Sequence, residues 1–332
     1  MKWLLAFAML VTGLVDAGEL AGYPETGRIE RLSADADQLL ASDAKVRVLA
    51  EGFKWTEGPL WITEGDYLLF SDIPNNRVLR FDFEQGIRPY LEKTGADNLH
   101  PGDSPQGSNG MVLDGAGRLL LLQQGNRRIV RMDASLDKPA KPFSPVAENY
   151  QGKRLNSPND MVRNPNGFFY FTDPAYGMLY GVDDPNKELA YQGVFRLAEN
   201  GELDLMDSEL THPNGIGQSP NGGRVYVAVS DAEAPAWYEY RVNKQGDLVD
   251  RKLFFDASAF AIEGHGVPDG MAVHSSGVIF ATGPGGVWLF SPDATPLARI
   301  YTGRLTANCA LSADEKILFI TAHDSLMAIA LK

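Results

Sequence analysis

The sequence predicts an all-β fold, a six-bladed β-propeller with a cation site in its central channel. Three observations lead there. First, one short motif occurs six times, a polar lead residue followed by a small residue and an apolar run: Glu57-Gly-Pro-Leu-Trp, Asn109-Gly-Met-Val-Leu, Asn159-Asp-Met-Val, Asn214-Gly-Ile-Gly, Asp269-Gly-Met-Ala-Val and Asn308-Cys-Ala-Leu. Second, the lead positions 57, 109, 159, 214, 269 and 308 are separated by 52, 50, 55, 55 and 39 residues. A repeat of roughly 40–50 residues with several short strands per unit is the period of propeller blades. Third, each unit carries short β-rich runs bounded by turn residues, such as Tyr67-Leu-Leu-Phe-Ser and Val78-Leu-Arg-Phe-Asp around Asp72-Ile-Pro-Asn-Asn.

Taken in order, the chain begins with a secretory-type leader. Lys2 provides the positive end, Trp3 to Val15 the apolar stretch, and Val15-Asp16-Ala17 the cleavage context, so residues 1–17 are expected to be removed after Ala17. The apolar stretch is too short for a spanning helix, and no stable membrane insertion is expected. The expected location is periplasmic or secreted. Residues 18–44 read as an N-terminal arm lying against the propeller, with a short helix around Ala34–Ser42, and residues 45–332 as the propeller itself. Within it each unit shows two clear strands, expected to be the inner ones, before a weaker outer pair. Examples are Phe168-Phe-Tyr-Phe-Thr with Gly193-Val-Phe-Arg-Leu, and Ile317-Leu-Phe-Ile-Thr with Ser325-Leu-Met-Ala-Ile. Their near-continuous apolar character suits strands buried on both faces. The longest irregular insert, Gly177–Tyr191, is expected to be a surface loop near the channel mouth.

Composition narrows the function. The 332 residues are 44% hydrophobic with 34 Gly and 20 Pro, which suits one large turn-rich domain. A formal charge of −13 without a basic block argues against a nucleic-acid partner. A single cysteine, Cys309, allows no intramolecular disulfide and reads as a core thiol. Nothing in the sequence sets an oligomeric state.

The chemistry lies in the lead residues. Equivalent points of six blades converge on the channel mouth, and there they read Glu, Asn, Asn, Asn, Asp, Asn, all oxygen donors. Hard divalent cations take six to eight such oxygens, water completing the set. Calcium is the expected ion, with magnesium, manganese and zinc as alternatives. Zinc would favour His or Cys, and His100, His212, His265, His274 and His323 are scattered. A single Asn-Gly or Asp-Gly is usually just a turn that tolerates positive φ. Six at one register, one of them a longer Glu, are more than turn chemistry requires.

The segments EGPLW, RLNSPNDMV, FYFTDPAYG, HPNGIG and VPDGMAV resemble the SMP-30/gluconolactonase/LRE-like (regucalcin-like) family from about Val46 to the C-terminus. The resemblance implies a six-bladed propeller with one divalent cation, usually calcium. It also implies the ligands Glu57, Asn159, Asn214 and Asp269, a set whose spacing is similar to that of the diisopropyl-fluorophosphatase relatives. Asn109 and Asn308 fall outside that ligand pattern and are expected to line the pocket or to bond the ligands. Animal relatives that bind sugar lactones carry Arg two residues before the position of Asn159. Here that residue is Ser157, which leaves the choice of lactone open.

The implied activity is calcium-dependent opening of a lactone ring by metal-assisted water attack, with aldonolactones first among substrates. Asp269 is the first candidate for the base and Glu57 the second. Asn109, Asn159, His212 and Tyr176 are candidates for substrate contact, and His212 and His265 for proton shuttling. Asp160 and Asp173 are candidates to orient ligand amides. No G-x-S-x-G elbow is present, so covalent catalysis is not expected. Two alternatives share the sequence: a promiscuous esterase or organophosphate hydrolase on the same metal, and a non-catalytic ligand-binding propeller.

Overall fold

The computed structural model describes residues 17–97, 99–262 and 265–332. The expected leader therefore lies almost wholly outside the described residues. Among the described residues six antiparallel blade sheets follow one another along the chain, with a two-stranded sheet, Asn149–Tyr150 paired with Lys153–Arg154, between blades 2 and 3. Blade 1 comprises Thr56–Ile62, Tyr67–Asp72, Arg77–Asp82 and Gly86–Glu92, from the axis outward. Blades 2, 3 and 4 repeat the pattern from inner strands Ser108–Leu113, Met161–Arg163 and Pro213–Gln218. Blade 5 starts at Met271–Val273 and blade 6 at Thr306–Leu311. Each inner strand touches the inner strand of the next blade, and the sixth touches the first, so the ring is closed.

Closure is made by both ends of the chain. Blade 6 has only three strands from the C-terminal region, and Val46–Glu51 pairs with Ser325–Ala330 to supply the fourth. The arm then adds Glu25–Thr26 to that strand and Arg28–Arg31 to the edge of blade 5. The helix expected over residues 34–42 is a 3₁₀ turn, Ala34–Gln38, started by Ser33, whose hydroxyl accepts from the Asp35 amide. Three residues per turn suit a short connector of this kind.

The two apolar runs read as inner strands are the second and third of each blade. Tyr67–Asp72, Leu119–Gln123, Phe169–Asp173 and Ile317–Ala322 are buried at every position. With the third strands beside them they form the inter-blade cores; Trp237 from the third strand of blade 4 meets Trp288 and Phe290 from the third strand of blade 5 in one of these. The inner strands carry the polar lead residues at or just before their start, so their apolar signal is weaker.

The small residue after the lead residue has a packing cause. Only Gly58 of the four motif glycines has positive φ. A Cβ at Gly58 would lie 2.1 Å from the Asn109 carbonyl oxygen, at Gly215 2.1 Å from that of Asp269, and at Gly270 1.9 Å from Asn308 Cγ. At Gly110 it would lie 2.7 Å from the Asn159 carbonyl oxygen, and the Gly110 amide donates to that oxygen at 2.8 Å. Each glycine is thus the point where one blade's inner strand meets the next lead residue, a close backbone approach that only Gly permits.

Candidate active site and cation centre

One cavity of about 540 Å³ opens at the end of the channel, and Glu57, Asn109, Asn159, Asn214, Asp269 and Tyr176 all line it. Five of the six lead residues therefore converge as the repeat predicts. Glu57, Asn109, Asn159 and Asn214 are buried, and Asp269 is half-buried. Asn308 lies one step below. Its Nδ2 donates to Glu57 Oε2 at 3.2 Å, and its Oδ1 accepts from the Cys309 amide.

The backbone around the lead residues is held from behind by hydroxyls at or just past the ends of the second strands, and one of them, Ser230, also holds a lead side chain. Ser71 Oγ donates to the Asn109 carbonyl at 2.8 Å, Thr172 Oγ1 to the Asn214 carbonyl at 2.6 Å, and Thr321 Oγ1 to the Asn308 carbonyl at 3.2 Å. Thr282 Oγ1 donates to the carbonyls of Gly270 and Ala307. Ser230 Oγ accepts from Asn214 Nδ2 at 2.9 Å and donates to the Pro268 carbonyl. That bond fixes the amide so that Asn214 Oδ1 is its free end. Sequence reading missed these residues. Their signal was an apolar run ending in Ser or Thr: Phe70-Ser71, Phe171-Thr172, Ala281-Thr282 and Ile320-Thr321.

The electrostatics favour a cation. Asn109 Oδ1, Asn214 Oδ1 and Asp269 Oδ1 are buried acceptors without a protein donor. Such groups are normally paired, because desolvation without a partner costs about 1–3 kcal/mol each. Burial pushes Glu57 up to about 7, with the Gly58 amide opposing and Asp160 adding repulsion. Burial, then Glu57 and then Asp160, raise Asp269 well above the ordinary carboxylate range. No Lys or Arg is among the causes at either group. Among the described residues no three of His, Cys, Asp and Glu cluster as a metal site. The oxygen set is instead two carboxylates with neutral amides, which suits a hard cation with water in its shell.

The other candidates separate from the cavity. Asp160 faces the opposite end of the channel, where its carboxylate accepts from the Met161 and Ile216 amides and stands beside the Asn308 amide, within reach of Glu57 and Asp269 electrostatically. Asp173 is fully buried and accepts from the amides of Asn156 at 2.7 Å and Ser157 at 2.8 Å, upstream of Asn159. His265 is exposed and outside the cavity lining. His212 also stands off the lining, its ring 5.8 Å from that of Tyr176, with Nδ1 buried and unpartnered. The remaining wall was not foreseen. Trp55, Ile73, Pro74, Val267 and Leu305 give it apolar surface, and Lys54, Gln106, Gln124 and Ser230 add polar groups. The insert Gly177–Tyr191 is only partly a surface loop. Leu179, Tyr180 and Val182 are exposed, while Met178 and Leu189 are buried.

A family model described as the SMP-30/Gluconolactonase/LRE-like region matches residues 55–324. The chain is 35% identical over 312 residues to a gluconolactonase of Zymomonas mobilis, covering 92% of this chain and 86% of that protein. It is 26% identical over 285 residues to the pentonolactonase XacC of Haloferax volcanii, covering 83% and 84%. Among solved structures, a gluconolactonase of Xanthomonas campestris superposes with a TM-score of 0.78 at 28% identity, over 93% of this chain and 97% of that one.

Proposed function

The chain belongs to the SMP-30/gluconolactonase/LRE-like family, and from that premise we propose that it is a hydrolase that opens sugar lactones with the help of one divalent cation, calcium first. The observation that carries this reading is the set of three buried, unpartnered oxygens, on Asn109, Asn214 and Asp269, around one cavity. Glu57, Asn159, Asn214 and Asp269 would hold the ion, with Asn109 beside them. When bound, the ion supplies Lewis acidity that polarises the ester carbonyl.

The protein's own residues account for the rest. Asp269 is the first choice to take the proton of the attacking water, and Glu57 the second. A carboxylate whose proton affinity is raised by burial and like charge accepts a proton more readily near neutral pH. Asn308 holds Glu57 in place, and Ser230 holds Asn214. The apolar wall around Trp55 suits the C–H face of a lactone ring, and the amides of Gln106 and Gln124 suit its hydroxyls. Sugar lactones are favoured because the gluconolactonase and the pentonolactonase named above both act on them. Export to the periplasm or medium, with cleavage after Ala17, belongs to the same proposal and is tested by sequencing the N-terminus of the mature protein.

The direct test is hydrolysis of glucono-δ-lactone followed with a pH indicator. Activity should fall on adding chelator and return with calcium. Indifference of every lactone and ester to the protein would favour a non-catalytic binding propeller.

A further inference from the structure

We infer that Ser157 is a latch that holds Tyr176 over the cavity, and that this turn-borne tyrosine sets the affinity for the lactone. The inference rests on the lactonase reading for its substrate and on this structure for the latch.

Ser157 is completely buried and does not reach the cavity. Its hydroxyl closes a ring of contacts on the turn that follows blade 3's second strand. Oγ donates to the Pro174 carbonyl at 2.6 Å and accepts from the Gly177 amide at 2.9 Å. One hydroxyl thus spans both ends of the segment 174–177, and Tyr176 is carried between them. The base of the turn is fixed as well. Asp173 accepts from the Ser157 amide, Asn156 Nδ2 donates to the Asp173 carbonyl at 2.9 Å, and the Ala175 amide donates to Gln192 Oε1 at 3.1 Å.

Space adds a second, independent constraint. A Cβ at Gly177 would lie 2.6 Å from Gln124 Cβ and 2.8 Å from Ser157 Cβ. The turn is therefore wedged between a cavity-lining residue of blade 2 and the latch itself, and only Gly fits. Held this way, Tyr176 lines the cavity, packs its ring against His212 and stands near Ser230, the residue that orients Asn214. Tyr176 is still 37% exposed. The His212 ring and the Ser230 hydroxyl are its partners on the cavity side, and the latch pins the turn that carries it, so losing the latch loosens the ring's placement over the cavity. Ser157 is accordingly a positioning residue that acts only through Tyr176.

A double-mutant cycle in the full-length, calcium-loaded protein tests this. Ser157→Ala removes both hydroxyl bonds, and Tyr176→Ala removes the group they position. Each single variant should raise KM for glucono-δ-lactone by roughly 5- to 10-fold, the worth of one or two net hydrogen bonds, with kcat falling less than twofold. The double variant should be no worse than Tyr176→Ala alone, because the two residues act as one unit. Additive losses, or an unchanged KM in Ser157→Ala, would overturn the inference. Gly177→Ala perturbs the turn from the opposite side with the hydroxyl retained and should raise KM in the same way. The latch has a readout that needs no substrate. Exchange of the Gly177 amide hydrogen should quicken at least tenfold in Ser157→Ala, while amides of the blade strands keep their rates. An unchanged Gly177 rate would refute the latch. If the wild type opens no lactone and Gly177 still responds, the substrate reading fails and the latch stands.

Discussion

Consider the ion-free protein as pH rises. Glu57 is buried, and its pKa is pushed from an ordinary 4.5 up to about 7. Holding it ionised in the fold therefore costs about 3 kcal/mol. Because the folded pKa is the higher one, the native state binds more protons than the unfolded chain between those two values. Stability from this group is fully present below pH 4.5 and is lost as pH rises through 7. An unfolding entropy of about 2.1 cal/mol/K per residue gives the 332-residue chain roughly 0.7 kcal/mol per degree, so the loss is about 4 °C in Tm. Other carboxylates titrate too; subtracting Glu57→Gln cancels those that Glu57 does not touch, and its repulsion of Asp269 adds to the difference in the same direction. In chelator-treated protein, the Tm of wild type minus that of Glu57→Gln should fall by about 4 °C between pH 4.5 and 8. Calcium should reverse the trend in the wild type, its stabilisation growing with pH because ion and proton compete for one carboxylate. Differential scanning calorimetry at four pH values measures both. A difference that stays flat or grows with pH, or a calcium gain independent of pH, would refute the account of these carboxylates.

Further expectations concern single residues. Asp269→Asn keeps an oxygen but loses charge and base, so turnover should be lost while calcium still binds, more weakly, by calorimetry; unchanged turnover would move the base elsewhere. Ser230→Ala frees the Asn214 amide and should weaken calcium binding about tenfold, as loss of a ligand-orienting partner does. Replacing the exposed Leu179, Tyr180 and Val182 with Ser should shift KM between lactones and leave calcium affinity unchanged; a lost ion would contradict the separation of insert and site. Cys309 is fully buried and burial raises its thiol pKa, so iodoacetamide should label it only on unfolding.

The closed ring and the meeting of the lead residues were legible because a repeat fixes equivalent places in equivalent units. Glu57, Asn109, Asn159, Asn214 and Asp269 share a register, and symmetry does the rest. What could not be read depends on side-chain direction. Asp160 follows Asn159 directly, yet the Met161 and Ile216 amides hold its carboxylate at the other end of the channel. Asn308 shares the register yet sits below its fellows, bonded to Glu57. The glycines looked like turn residues, and their reason is contact with the next blade, which is a long-range fact. Trp55 and Val267 of the apolar wall stand two residues before their lead residues, but the same position is Gly107, Ser157 and His212 in the blades between, so no repeating apolar signal marked it. Tyr176 was visible in its motif, whereas the latch that holds it needs Ser157, Gly177 and Gln124 in three dimensions.

The central claim is that chain-distant oxygens share one ion at the axis, and a crystal structure of the calcium-soaked protein tests it most directly. The account predicts one ion at the end of the channel, about 2.3–2.6 Å from oxygens of Glu57, Asn159, Asn214 and Asp269. An ion bound elsewhere, or a cavity holding only water at saturating calcium, would contradict it.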